Sequence, residues 1–142
     1  MNRNQYRITL VTSLVTGFCG VGLELVFPEL LSAQLRKAND LQAETAATWQ
    51  LLAASIAGGT SLIWSLASVY GLYQFRAWAP KSALAATGLG IVAVALMGSF
   101  AQSGAASAFS MMASYLWGIC ILLPFIEPYS SWFAPVAASE RS

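Results

Sequence analysis

Long apolar runs alternate with short polar stretches along this chain, and four of the runs reach bilayer length. A helix crosses the hydrocarbon layer with about 20 mainly apolar residues. Runs at about 8–27, 49–73, 83–101 and 109–126 meet that condition. They predict an all-α fold: one membrane domain over residues 1–142, a polytopic bundle of four transmembrane helices. The first run stops at Pro28, since the residue before a proline is pushed out of helical geometry. A polar stretch at 32–47 carries Arg36, Lys37, Asp40 and Glu44. Its helix formers, with Leu31, Leu35 and Ala38 on one face, predict a short surface helix, and Asn39 or Asp40 is the expected cap of the second span.

The remaining connections are short. Gln74 to Lys81 joins the second and third spans, and a Gln-Ser-Gly-Ala-Ala-Ser turn from Gln102 to Ser107 joins the third and fourth. So brief a turn is expected to make the third and fourth spans antiparallel neighbours. Pro124 is expected to kink the end of the fourth span. The aromatic, proline-broken tail at 127–142 is expected to lie along the membrane interface and to fray from Ser139 to Ser142.

Composition changes the solvent, not the pattern. Hydrophobic residues make up 57% of the chain and charged residues 9%, against roughly half and a quarter in soluble domains. A soluble domain this small would lack the interior for so many apolar side chains. Arg3 and Arg7 before the first run resemble the start of a secretory leader. Glu24 within the run, the want of a small-x-small cleavage site and bulky Phe18 before Cys19 argue for a retained span.

With four spans, Arg3, Arg7, Arg76, Lys81 and Arg141 share one side, and Arg36 and Lys37 lie on the other, offset by Asp40 and Glu44. The positive-inside rule then places both termini in the cytoplasm, and a bacterial inner membrane is the expected location. Tyr6, Trp49, Tyr73 with Trp78, and Tyr129 with Trp132 are expected at the two headgroup zones.

Small residues recur on one face of each span. Thr9, Thr12, Ser13, Thr16, Gly17, Gly20 and Glu24 share a face of the first. Ala54, Gly58, Ser61, Ser65 and Ser68 form the stripe of the second. Ala86 and Gly90 lie on the third, and Ser110, Ser114 and Gly118 on the fourth. Rows of this kind let backbones approach closely and hydroxyls bond across the gap. Gly17, Gly58, Ser61, Ser65, Gly90, Ser114 and Gly118 are therefore the expected helix-packing contacts, inside the bundle or against a partner. Such rows on every span tilt the expectation toward self-association or other integral membrane subunits.

Candidate chemistry is sparse. The chain has no histidine, which removes the usual haem, zinc and copper ligand and the commonest general base. Cys19 and Cys120 sit inside apolar runs without a second pair, so both are expected to be buried structural thiols and not a metal site. The net charge of +1 offers no field for nucleic acid. Gly58-Gly59 and Gly88-x-Gly90 lie within spans and do not follow strands, so neither reads as a phosphate loop. No cofactor, no metal and no catalysis are expected.

Glu24 is the one carboxylate clearly within an apolar segment, where a charge costs about 2–3 kcal/mol on insertion scales. It defines, with Thr16 and Gly20, a possible intramembrane polar site. Three roles stay open for it: a hydrogen bond to hydroxyls of a neighbouring helix, a contact with a partner, or a proton carrier. Arg76, Trp78 and Lys81 are expected contacts for lipid headgroups. The expected function is that of a non-catalytic accessory or scaffolding subunit among membrane proteins and lipids. The alternative is a small proton-coupled transporter or homo-oligomeric channel using Glu24.

Overall fold

A computed structural model describes residues 1–45, 47–98 and 102–133, and these form five α-helices and three short 3-10 turns. The helices are α1 (Arg3–Val26), α2 (Ala33–Thr45), α3 (Thr48–Tyr73), α4 (Ala79–Met97) and α5 (Gly104–Leu122). All but α2 are long and apolar enough to cross a membrane. The protein is an all-α membrane bundle of four spans, as the apolar runs predict.

Local signals set the ends more sharply than apolarity does. The Asn2 side chain accepts from the Gln5 backbone N–H (2.8 Å), and the Gln5 side chain accepts in return from the Asn2 N–H (2.8 Å). That reciprocal box starts α1 five residues before its apolar run. Pro80 in its first turn starts α4 at Ala79, ahead of the expected 83. The α4 helix ends at Gly98, whose φ of 79° suits a residue without Cβ. The expected end of this span, 99–101, lies outside the described residues. The Ser103 side chain accepts from the Ala106 N–H (3.2 Å) and starts α5 at Gly104, five residues before the expected 109. At Pro124 the helix tightens into a 3-10 turn over Leu123–Phe125.

Two expectations for the first loop separate. The surface helix is present as α2, but Asn39 and Asp40 lie inside it and do not cap α3. The cap is Ala47, whose N–H donates to the Gln50 side chain (3.3 Å). Good helix formers carry α2 straight through the residues that resemble a cap.

The four spans pack as two antiparallel pairs, α1 with α5 and α3 with α4. In the first pair, Ser13 Oγ donates to the Ala113 carbonyl (3.1 Å), and a Cβ on Gly20 would stand 3.1 Å from Ser110 Oγ and 3.3 Å from the Ala106 oxygen. In the second, Ser61 Oγ donates to the Ala86 carbonyl (2.8 Å), and Gly90 leaves room for that hydroxyl, 2.9 Å from where its Cβ would be. Trp64 Nε1 donates to Ser82 Oγ (2.7 Å), which also lies 2.9 Å from Ser68 Oγ. The third and fourth spans run antiparallel but touch only sparsely, a correction to the neighbour expectation. A short turn sets direction. Which backbones close up is decided by matching small faces, and the best match for α5 is α1.

The pairs meet at one end, where α1 and α4 begin and α3 and α5 finish. Tyr6 is fully buried there, with Leu10, Leu72, Ala79, Ala83, Cys120, Ile121 and Phe133 around it. Its hydroxyl donates to the Cys120 carbonyl (2.9 Å). Tyr6 therefore faces inward, not toward headgroups. Phe75, in the turn after α3, adopts φ 55°, a region that costs a non-glycine residue about 1–2 kcal/mol. The turn places its ring against Tyr6 (5.6 Å between centroids), Phe133 (5.4 Å) and Trp132 (5.8 Å). The tail thus tucks its first aromatics under the bundle. Residues 134–142, and with them the expected fraying from Ser139 to Ser142, lie outside the described residues.

The α1–α5 seam gives a direct test. Gly20→Leu should lower stability in detergent by about 1–3 kcal/mol through overpacking, read from SDS-induced unfolding. Gly22→Leu, with no described atom within 4 Å of its would-be Cβ, should leave it unchanged.

Candidate functional site

Three places gather the polar and aromatic residues that could do work. The first is the far end of the α1–α5 pair. Glu24, in the last turn of α1, is half-buried, and its Oε1 accepts from the Ser103 backbone N–H at 2.6 Å. The first amides of a helix have no partner within it, and the positive end of the helix dipole favours a carboxylate. Ser103 thus uses its side chain to cap α5 while its own N–H is met by Glu24. The bond across to the neighbouring helix is present, but the donor is backbone and not hydroxyl.

Thr16 and Gly20 lie farther along the same buried face of α1. The Thr16 hydroxyl donates to the Thr12 carbonyl of its own helix (2.6 Å), and Gly20 admits the α5 backbone. The three residues form a seam, not a cluster. Glu24 also lines a cavity of about 220 Å³ with Phe27, Leu31 and Arg36. Among the described residues no three of Cys, Asp and Glu approach closely enough to hold a metal ion.

The second place is an open groove of about 300 Å³ between the two pairs. It is lined from α1 by Ser13, Leu14, Gly17, Phe18 and Val21, from α3 by Leu62, Ser65, Leu66 and Val69, and from α5 by Ala113, Ser114 and Trp117. Trp117 closes one end of it by donating from Nε1 to Thr87 Oγ1 of α4 (3.0 Å).

The expected packing residues divide here. Gly58, Ser61 and Gly90 join α3 to α4, and Gly17 touches Ala113 of α5, 3.7 Å from its would-be Cβ. Ser65 and Ser114 face the groove instead, and Gly118 has open space where a side chain would stand. Among the described residues, then, Gly118 is not a close-packing position.

The third place is the basic end beside the Tyr6 cluster. Arg7 Nε donates to the Tyr73 carbonyl (3.2 Å), and its guanidinium lies over the Tyr73 ring at 4.8 Å and the Phe75 ring at 5.2 Å. Arg3 lies over Phe75 at 5.3 Å and Trp132 at 5.9 Å. Arg76, Trp78 and Lys81 are exposed at the same end. Trp78 packs its ring edge on Gly71, where a Cβ would meet it at 2.8 Å. In the sequence Arg3 and Arg7 stand out as a basic start and as orientation signals, and their stacking on Phe75 is not visible there. The i, i+4 spacing of the two arginines was visible; the backbone turn that brings Phe75 beneath them was not.

Set against protein-family models, curated proteins and solved structures, the chain matches none of them. What the protein does must be argued from its geometry.

Glu24 supplies the sharpest test of its own role. As an acceptor for the Ser103 N–H, its oxygen is replaceable by an amide oxygen. Glu24→Gln should therefore hold stability within about 0.5 kcal/mol, whereas Glu24→Ala should cost about 1–2 kcal/mol, the usual toll for losing a cap. Thermal unfolding in neutral detergent reads both.

Proposed function

We propose that this protein is a non-catalytic accessory subunit of a membrane assembly, docking laterally onto other integral membrane proteins and lipid. The observation that carries the reading is the groove between the helix pairs. Its walls mix leucine, valine and phenylalanine with Gly17, Ser65 and Ser114. The Ser65 hydroxyl makes no hydrogen bond among the described residues. Lipid tails gain nothing from small polar side chains, whereas an incoming helix gains close approach and a hydroxyl to bond.

The engaged side chains favour a partner over a reaction. Tyr6 and Cys120 are buried in the clasp, and the hydroxyls of Ser13, Thr16, Ser61 and Ser68 are engaged with backbone carbonyls. As a transported proton's carrier, Glu24 would have to surrender the Ser103 N–H in every cycle and leave it unpaired in hydrocarbon. Among the described residues, no second carboxylate lines the cavity beside Glu24.

Orientation follows the same proposal. Arg3, Arg7, Arg76 and Lys81 lie at the clasped end, while Glu29, Arg36, Lys37, Asp40 and Glu44 lie at or beyond the other. The basic end belongs in the cytoplasm, and the setting is a bacterial inner membrane.

Mild extraction of the tagged chain from its native membrane, followed by native gel separation and mass spectrometry, tests the proposal. A stoichiometric membrane partner is expected in the same band, and Ser65→Phe, which fills the groove, should strip it away without loss of the folded protein. Recovery as a lone chain or a small homo-oligomer under every mild detergent would overturn it.

A further inference from the structure

Two arginines of the basic end, Arg3 and Arg7, pair with no carboxylate among the described residues. Arg3 and Arg7 are one turn apart on the same face of α1, and both lean on the ring of Phe75, at 5.3 and 5.2 Å. Stacking on an aromatic face fixes the guanidinium plane and leaves its N–H edge free to point outward. Arg7 is half-buried, and among the described residues only its Nε finds an acceptor, the Tyr73 carbonyl. Arg3 finds none there, and neither forms an ion pair with a described carboxylate. Arg76 and Lys81 stand exposed at the same end and add positive charge, against Glu127 alone among the described acids of that end.

A partly desolvated cation without a counter-ion is costly, and its planar fork matches two oxygens of one anion. We infer that Arg3 and Arg7, held by Tyr73, Phe75 and Trp132, bind the phosphate of an anionic phospholipid headgroup. The position selects lipid as the source of that phosphate. The arginines stand at the mouth of a membrane-spanning helix, and its exposed apolar face begins at once with Ile8, Val11 and Val15. A headgroup bound by the fork would lay its acyl chains along that face. Arg76 and Lys81 strengthen the local field without shaping the site. The inference needs the four spans to be in lipid. It does not need a partner protein, so it can fail or hold independently of the subunit reading.

Trp132 lies beside the site and reports on it. The full chain in a neutral detergent is titrated with phosphatidylglycerol, and separately with phosphatidylcholine, while tryptophan fluorescence and lipid adducts in native mass spectrometry are followed. Phosphatidylglycerol should bind in preference to phosphatidylcholine. Arg3→Gln with Arg7→Gln should weaken it by about tenfold or more, and Arg7→Lys, which keeps the charge but not the fork, by less. Arg76→Gln with Lys81→Gln should weaken it by about threefold at most. Arg3→Gln alone, which removes no hydrogen bond among the described residues, serves should the double variant fail to fold, and it too must weaken binding. Equal affinity for the two lipids would overturn the inference, as would unaltered phosphatidylglycerol binding in the folded variants. Displacement of the lipid by inorganic phosphate at equal concentration would assign the site to a soluble anion and overturn the lipid source.

Discussion

Inside a bilayer, apolar helices gain nothing by leaving lipid for one another, because lipid tails are as apolar as leucine. Association must come from close backbone approach, from hydrogen bonds shielded from water and from contacts at the membrane boundary. This chain divides those tasks by position. Serine and glycine rows zip α1 to α5 and α3 to α4 along their lengths. The join between the two pairs is concentrated at one end, where Tyr6 and Phe75 bring aromatic rings from α1, the α3–α4 turn and the tail into one cluster. The left-handed backbone at Phe75 is a local cost accepted for that join, offset by ring contacts to Tyr6, Trp132 and Phe133.

A bundle clasped at one end leaves a space between its halves. The groove bounded by Trp117 and running toward the Glu24 end is the direct outcome, and the proposed docking of a partner helix is the natural use of it. Glu24 belongs to the same logic. A carboxylate in an apolar segment invites a functional reading, yet here it meets the backbone amide at the start of α5 and joins the two members of one pair at the end farthest from the clasp. A carboxyl oxygen within the span completes a helix end.

The spans were legible because a hydrocarbon layer imposes length and apolarity directly on the sequence. The small-residue rows were legible too, since helical periodicity puts Ser13, Gly17 and Gly20 on one side whatever they touch. What they touch was not legible. The choice of α1 and not α4 as the main partner of α5 depends on matching two surfaces, and a turn from Gln102 to Ser107 carries no information about that match. Tyr6 shows the same limit. An aromatic residue at a span boundary reads as an interfacial anchor, and only the fold of Phe75 and the return of Phe133 turn it into the core. Helix ends were misplaced where a cap outranked hydropathy, at Asn2, Pro80 and Ser103.

Among the described residues, the contacts that join the two helix pairs are concentrated at the basic end. Paired spin labels in lipid bilayers measure this directly, with Cys19→Ser as background and Cys120 left buried. One label pair, at Ile8 and Tyr70, reports across the clasped end, and the other, at Leu25 and Leu52, reports across the open end; all four side chains are exposed. A narrow distance distribution is expected for Ile8 with Tyr70 and a broad one for Leu25 with Leu52. Phe75→Ala should broaden the first. Equally narrow distributions at both ends, unchanged by Phe75→Ala, would contradict a join concentrated at the basic end.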